Sequence, residues 1–121
     1  MKLYGICSPS HAVLRDEWFL PSAQKFFEEV ILEEVSQTCP SGGFKNAGWA
    51  STVTKKFDLL LRATEENWED IFVFSDVDIQ FFDLDTSYLA SLLGDKDIVF
   101  QKNSAIGDVC TGFLVCRANE N

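Results

Sequence analysis

The chain lacks several things that would narrow its role at once. No run of about 20 consecutive apolar residues is present, so no membrane-crossing helix is expected. The opening Met1-Lys2-Leu3-Tyr4-Gly5-Ile6-Cys7 turns polar at Ser8-Pro9-Ser10-His11, too early for the apolar core of a secretory signal. A soluble, cytoplasmic protein is the expectation. Positive charge is scarce: 10 Lys and Arg face 19 Asp and Glu, a net charge of −9, which excludes holding a nucleic-acid backbone or an anionic membrane by bulk charge. An anionic ligand needs a local device here, such as a metal ion. Cys7, Cys39, Cys110 and Cys116 form no Cys-x-x-Cys pair, so zinc-site spacing is missing. They read as reduced thiols packed as small apolar groups. His11 is the one histidine, follows a Ser-Pro-Ser loop, and has no second histidine with which to complete a site.

What is present is ordinary globular material: 121 residues, 46% of them apolar, with 11 Phe. That is enough for one domain and no more. Leu3 to Cys7 reads as a buried strand running into a loop, and Val13 to Phe27 as irregular or helical with a break at Pro21. From Phe27 to Val35 the β-branched Val30, Ile31 and Val35 favour a strand over the helix that the glutamates would prefer. Cys39-Pro40-Ser41-Gly42-Gly43 is a loop by its turn chemistry. Trp49, Val53, Phe57, Leu60, Leu61, Thr64 and Trp68 recur at spacings of three and four, which predicts a helix with that stripe inward and Asn67 at its end. Trp49 and Trp68 are then core-facing anchors, and Lys55 and Lys56 lie on an exposed face.

Ile71-Phe72-Val73-Phe74 is apolar without alternation, the pattern of a strand covered on both faces. A short helix follows from Asp85 to Leu93, with Asp85 or Thr86 as cap and Gly94 as stop. Asp97 to Phe100 and Gly112 to Cys116 give two more strands. Strands alternating with helices predict an α/β fold, a Rossmann-like, mainly parallel sheet with flanking helices. The last strand is followed only by Arg117 to Asn121, so the expectation is a single domain, 1–121, that corresponds to the front part of a larger fold. An uncovered sheet edge would then invite self-association.

The sharpest chemical feature is Ser75-Asp76-Val77-Asp78 directly after the buried strand. Ligands of open α/β sheets bind beyond the carboxyl ends of strands. Two carboxylates one residue apart share a side when the backbone is strand-like, and their hard oxygens suit Mg²⁺ or Mn²⁺. The same triplet equally suits two surface aspartates that solvate a turn.

This segment resembles the nucleotide-diphospho-sugar transferase family, glycosyltransferases of the type A fold whose Asp-x-Asp motif follows a buried strand. Tyr4-Gly5-Ile6-Cys7-Ser8 is similar to that family's first strand, beside the nucleotide base. The helix with Lys55, Lys56 and Leu59-Leu60-Leu61 is similar to the helix before the motif. Asp97 to Gln101 followed by Thr111-Gly112-Phe113-Leu114-Val115 is similar to its strand, variable loop and Asn-x-Gly-Phe-type strand, with Cys110 standing where Asn is frequent. The resemblance implies Asp76 and Asp78 at a divalent metal, Mn²⁺ or Mg²⁺. It implies Cys7, Ser8, Lys56, Ser75, Asp76 and Val77 at the nucleotide, and Gly112 and Phe113 at the sugar. The expected activity is sugar transfer from a nucleotide-diphosphate donor, UDP-type favoured, to an acceptor that the residues do not identify. Two other expectations stand beside it. One is a shortened, non-catalytic domain that binds nucleotide or metal, or pairs with another chain. The other is a phosphohydrolase with an aspartate nucleophile, which the mid-chain position of the motif and Gln80 disfavour.

Overall fold

A computed structural model describes residues 1–37, 48–102 and 107–120. Five strands, β1 (Lys2–Cys7), β2 (Glu29–Glu34), β3 (Ile71–Ser75), β4 (Ile98–Lys102) and β5 (Val109–Arg117), form one sheet in the order β2-β1-β3-β5-β4. The helices are α1 (Ala12–Leu14), α2 (Leu20–Ala23), α3 (Trp49–Glu66) and α4 (Thr86–Leu93). The α/β class is as expected, but the mainly parallel sheet is not what forms. Pairing is parallel across β2-β1-β3 and antiparallel across β3-β5-β4. Antiparallel β5 enters between β3 and β4, a placement that apolar strand patterns cannot reveal because both kinds of buried strand read alike.

Each strand sends alternate residues to opposite faces, and the two faces build separate cores. On one side Leu3, Cys7, Val73 and Val115 pack with Phe19 and Ala23 of the first helical segment and with Leu89 and Leu93 of α4. On the other, Tyr4, Phe72, Phe74, Leu114 and Cys116 pack with Leu59 and Ala63 of α3. The result is a three-layer arrangement in which, among the described residues, α3 is the one helix on its face. The turn-rich segment 39–43 lies outside the described residues.

Pro21 does not end the first helical segment. Helix continues from Pro9 to Ala23 through a wide turn at Arg15–Phe19, where the Leu20 N–H reaches the Arg15 carbonyl five residues back. A proline ring clashes with the carbonyl four residues before it in a regular helix, and this widened turn lies where that carbonyl sits. The buried Ser22 hydroxyl lies 2.7 and 2.9 Å from the Trp18 and Phe19 carbonyls. It also accepts from the Phe81 N–H at 3.1 Å, fastening the loop that follows β3. α4 follows expectation closely: Asp85 caps it by accepting from the Ser87 N–H at 2.8 Å, and Gly94 stops it at a positive φ of 52°.

α3 is rotated from the predicted stripe. Its inward residues are Lys56, Leu59, Ala63 and Asn67, while Phe57, Leu61 and Trp68 are 59%, 68% and 52% exposed. Trp68 is therefore not a core anchor; the Trp49 side chain lies outside the described residues. Leucines and aromatics occupy both sides of this helix, so spacing alone supports either rotation. The outcome turns on two polar clamps. At the C-terminal end Asn67 donates to the Tyr4 hydroxyl at 2.8 Å and to the Ala63 carbonyl at 2.6 Å, and Tyr4 donates to Glu66 at 2.9 Å. At the other end Lys56 turns inward.

Gly5 sits where β1 passes β3. A Cβ there would lie 2.7 Å from the Ser75 carbonyl oxygen and 3.0 Å from Leu32 Cδ2. Because the nearer atom is backbone, the sheet itself must shift to admit it. Gly5→Ala is expected to lower unfolding free energy by about 1–3 kcal/mol, read by urea denaturation; an unchanged midpoint would show that β1 has slack.

Candidate functional site

The carboxyl ends of β1, β2 and β3 share one edge of the sheet, and the predicted site residues lie along it. β3 stops at Ser75. Asp76 leaves the strand but stays tied to the sheet, its N–H donating to the Gly112 carbonyl at 2.8 Å. Val77 turns into the apolar core and is 4% exposed, while Asp78 stands exposed in the turn beyond. Strand-like backbone therefore does not run through the whole triplet. Asp76 has left the ladder, and Asp78 makes no hydrogen bond or ion pair among the described residues.

Lys56 meets Asp76. Its Nζ lies 2.8 Å from Asp76 Oδ1, 3.3 Å from the Thr111 carbonyl it donates to, and 5.1 Å from the centre of the Phe74 ring. The residue is 7% exposed, so the expected exposed helix face is corrected at this position; Lys55 does lie outward, 4.0 Å from Asp58. A buried ammonium is tolerated only with a counterion and polar partners, and Asp76 with Thr111 provides them. The Asp76 side chain remains 36% exposed. Burial raises its carboxyl above the ordinary carboxylate value. Lys56 opposes that rise, Asp78 adds to it, and His11 opposes it weakly.

Gly112 completes this corner. A Cβ on it would come within 3.0 Å of Asp76 Oδ2 and 3.4 Å of Cys110 Sγ. Its N–H points at Cys110 Sγ, 3.4 Å away. The bare backbone thus lets the Asp76 carboxylate lie against β5. Phe113, its neighbour, faces the other side of the sheet, where its ring stands 6.3 Å from that of Phe81. Gly112 and the Phe113 ring are therefore not brought together. Ser75 is fully buried, and its hydroxyl donates to the Asp76 carbonyl at 2.9 Å.

Cys7 and Ser8 lie further along the same edge, lining an open cleft of about 410 Å³ with Pro9, Ala12, Arg15, Glu34, Val35 and Ser36. Arg15, one of these lining residues, pairs with Asp16 and with Glu34 at 2.7 and 2.6 Å. Ser8 Oγ and Ser10 Oγ both lie against His11 Nδ1, at 3.0 and 2.9 Å. Cys7, Cys110 and Cys116 carry free thiols, and Cys39 lies outside the described residues.

Sequence reasoning missed the Thr111 carbonyl, the Cys110 sulfur and the interior position of Lys56. The Cys110-Thr111-Gly112 triplet was legible as residues next to a strand, but only the antiparallel entry of β5 brings them to Asp76. Among the described residues no group of three or more His, Cys, Asp or Glu side chains converges as a metal cage, and no helix is long and apolar enough to cross a membrane. Compared with known proteins, the chain matches no family model and no curated protein.

Two outcomes follow from this geometry. Folding raises the Asp76 carboxyl's affinity for its proton, so the charged form opposes folding above the folded-state value. That opposition is lost as pH falls through the raised folded value to the ordinary one. The stability of wild type relative to Asp76→Asn should therefore rise as pH is lowered through this window, measured by urea denaturation at stepped pH; a flat difference would contradict the assignment. Burial also pushes the Cys7 thiol up and the Cys116 thiol up to about 11. Maleimide labelling of the native protein at pH 8, read by peptide mapping, should modify Cys110 well before either.

Proposed function

We propose that the edge at Asp76 binds a nucleotide-diphosphate sugar with a divalent cation and that the protein transfers the sugar to an acceptor. The observation that carries this is the corner formed by Asp76, Lys56 and Gly112: a partly open carboxylate at a strand end, a cation beside it, and bare backbone against it. The resemblance to type A glycosyltransferases, carried by Ser75-Asp76-Val77-Asp78 and by Gly112-Phe113, points the same way. The cleft at Cys7 and Ser8 supports it too, because it lies on the same edge and has room for a base.

The donor set fits a hard cation. Asp76 and Asp78 offer carboxylate oxygens, the first partly open and the second exposed to solvent. Mg²⁺ and similar ions are commonly held by one or two carboxylates, with substrate phosphates and water as the other ligands. Asp76 and Asp78 would hold the ion, and when bound it would neutralise charge on the departing diphosphate. Lys56 would bind a phosphate oxygen, its ammonium already desolvated and aimed at the corner. Gly112 keeps the approach to Asp76 free of side chain. Cys7 and Ser8 line the place for the base, and Ser75 and Val77 act by fixing the backbone from which Asp76 projects. A cytoplasmic setting is part of this reading, and the free thiols of Cys7, Cys110 and Cys116 go with it.

Isothermal titration of UDP with and without Mn²⁺ tests the reading without needing the acceptor. UDP is expected to bind in the presence of Mn²⁺, with Asp76→Asn weakening it by about 10-fold or more, the scale of one charge-assisted contact. If Asp76→Asn and Asp78→Asn both bind UDP and Mn²⁺ as wild type does, the reading is discarded.

A further inference from the structure

We propose that two copies of this chain join edge to edge through β4, the strands antiparallel about a two-fold axis at Val99, so that two sheets become one. This does not depend on the function proposed above. β4 is an outer strand, and among the described residues only β5 pairs with it. The Asp97 carbonyl accepts from the Arg117 N–H at 2.8 Å, on the β5 side. Backbone groups alternate in direction along an antiparallel ladder. Those of Ile98 and Phe100 therefore point away from β5, a donor and an acceptor on each. A second strand would satisfy them, and adding a strand to such an edge is a common mode of association.

The side chains at this edge are as uncovered as the backbone. Ile98 and Phe100 lie opposite Cys116 and Leu114, hence on the α3 face of the sheet, yet both are exposed. On the other face the exposed Leu92 of α4 stands beside an apolar groove of about 390 Å³, which Leu89, Val99 and Phe113 also line. Apolar surface thus meets the edge from both sides, as in the centre of an interface.

The occupant is a second copy because the edge complements itself. In a chain of net charge −9, the stretch Ile98 to Lys102 holds no acid. Asp97 stands at its start and Lys102 at its end, while Asp95 and Lys96 pair with each other at 3.0 Å. Antiparallel pairing brings the acidic end of each strand to the basic end of the other. With the axis at Val99, Ile98 faces the partner's Phe100 and Phe100 faces the partner's Ile98. Each is a β-branched and aromatic pair of the kind that stabilises neighbouring strands, and the same patch serves on both copies. The opposite edge of the sheet does not allow this. β2 carries Glu29, Glu33 and Glu34, and two copies meeting there would oppose like charges.

Sedimentation equilibrium of the full chain over a concentration series tests the proposal. Wild type should pass from monomer to dimer as concentration rises. Ile98→Lys and Phe100→Glu, both at exposed positions, should each weaken the dimer by about 10-fold or more, since each change enters the interface twice. An equimolar mixture of the two variants should dimerise more tightly than either alone, because this register sets the new charges, opposite in sign, against each other. Rescue by mixing separates a lost contact from a lost fold. A wild-type monomer at every concentration up to about 1 mM would overturn the proposal. So would a dimer that both single variants leave intact, or one that Leu61→Lys, on the outward side of α3, dissolves instead.

Discussion

A buried ammonium must have an anion, and the meeting of Lys56 with Asp76 meets that need. The pair fixes the N-terminal half of α3 over β3 and β5 and turns the helix so that Phe57 and Leu61 face outward. It also holds the first aspartate of the triplet against Gly112 instead of leaving it to wave in solvent. At the opposite end of α3 the Tyr4–Asn67–Glu66 cluster does the same for orientation without a buried charge. Between these clamps Leu59 and Ala63 need only fill the space that remains.

The second determinant is the direction of β5. Running antiparallel to β3, it presents the Thr111 and Gly112 carbonyls to Lys56 and to the Asp76 N–H. A parallel strand in that place would slant its hydrogen bonds and offer a different set of groups at the strand end. The corner is thus assembled from segments far apart in sequence, each contributing a different kind of atom: an ammonium from a helix, a carboxylate from a loop, backbone from a strand.

Much of this was legible beforehand, and the exceptions have physical causes. Apolar runs located β1, β3, β4 and β5, β-branching settled β2, and Asp85 with Gly94 bounded α4, because these signals are local. The site's position at a strand end was legible for the same reason. The rotation of α3 was not: Phe57, Leu61 and Trp68 keep the same helical spacing as the true interior face, and a lysine counts as an outward residue until its partner is known. The sheet's mixed sense and the Phe113 ring's place across the sheet from Gly112 depend on which strand neighbours which, information that no window of sequence contains. Pro21 misled in another way, since a widened turn can absorb the ring without ending the helix.

Strand order has a consequence for how the chain comes together during its synthesis. β1 emerges first yet occupies the interior of the sheet, and β3, on one of its flanks, emerges some sixty residues later. β4 is made before β5 but has no place beside β3 until β5 fills the gap. β1 can pair with β2 early, but β3 keeps one apolar edge unpaired until β5 is made, and β4 waits for the same strand. Pairings so distant in sequence form slowly and leave strand edges open to neighbouring chains meanwhile. Chaperone engagement should accordingly fall on the stretch of translation between β3 and β5.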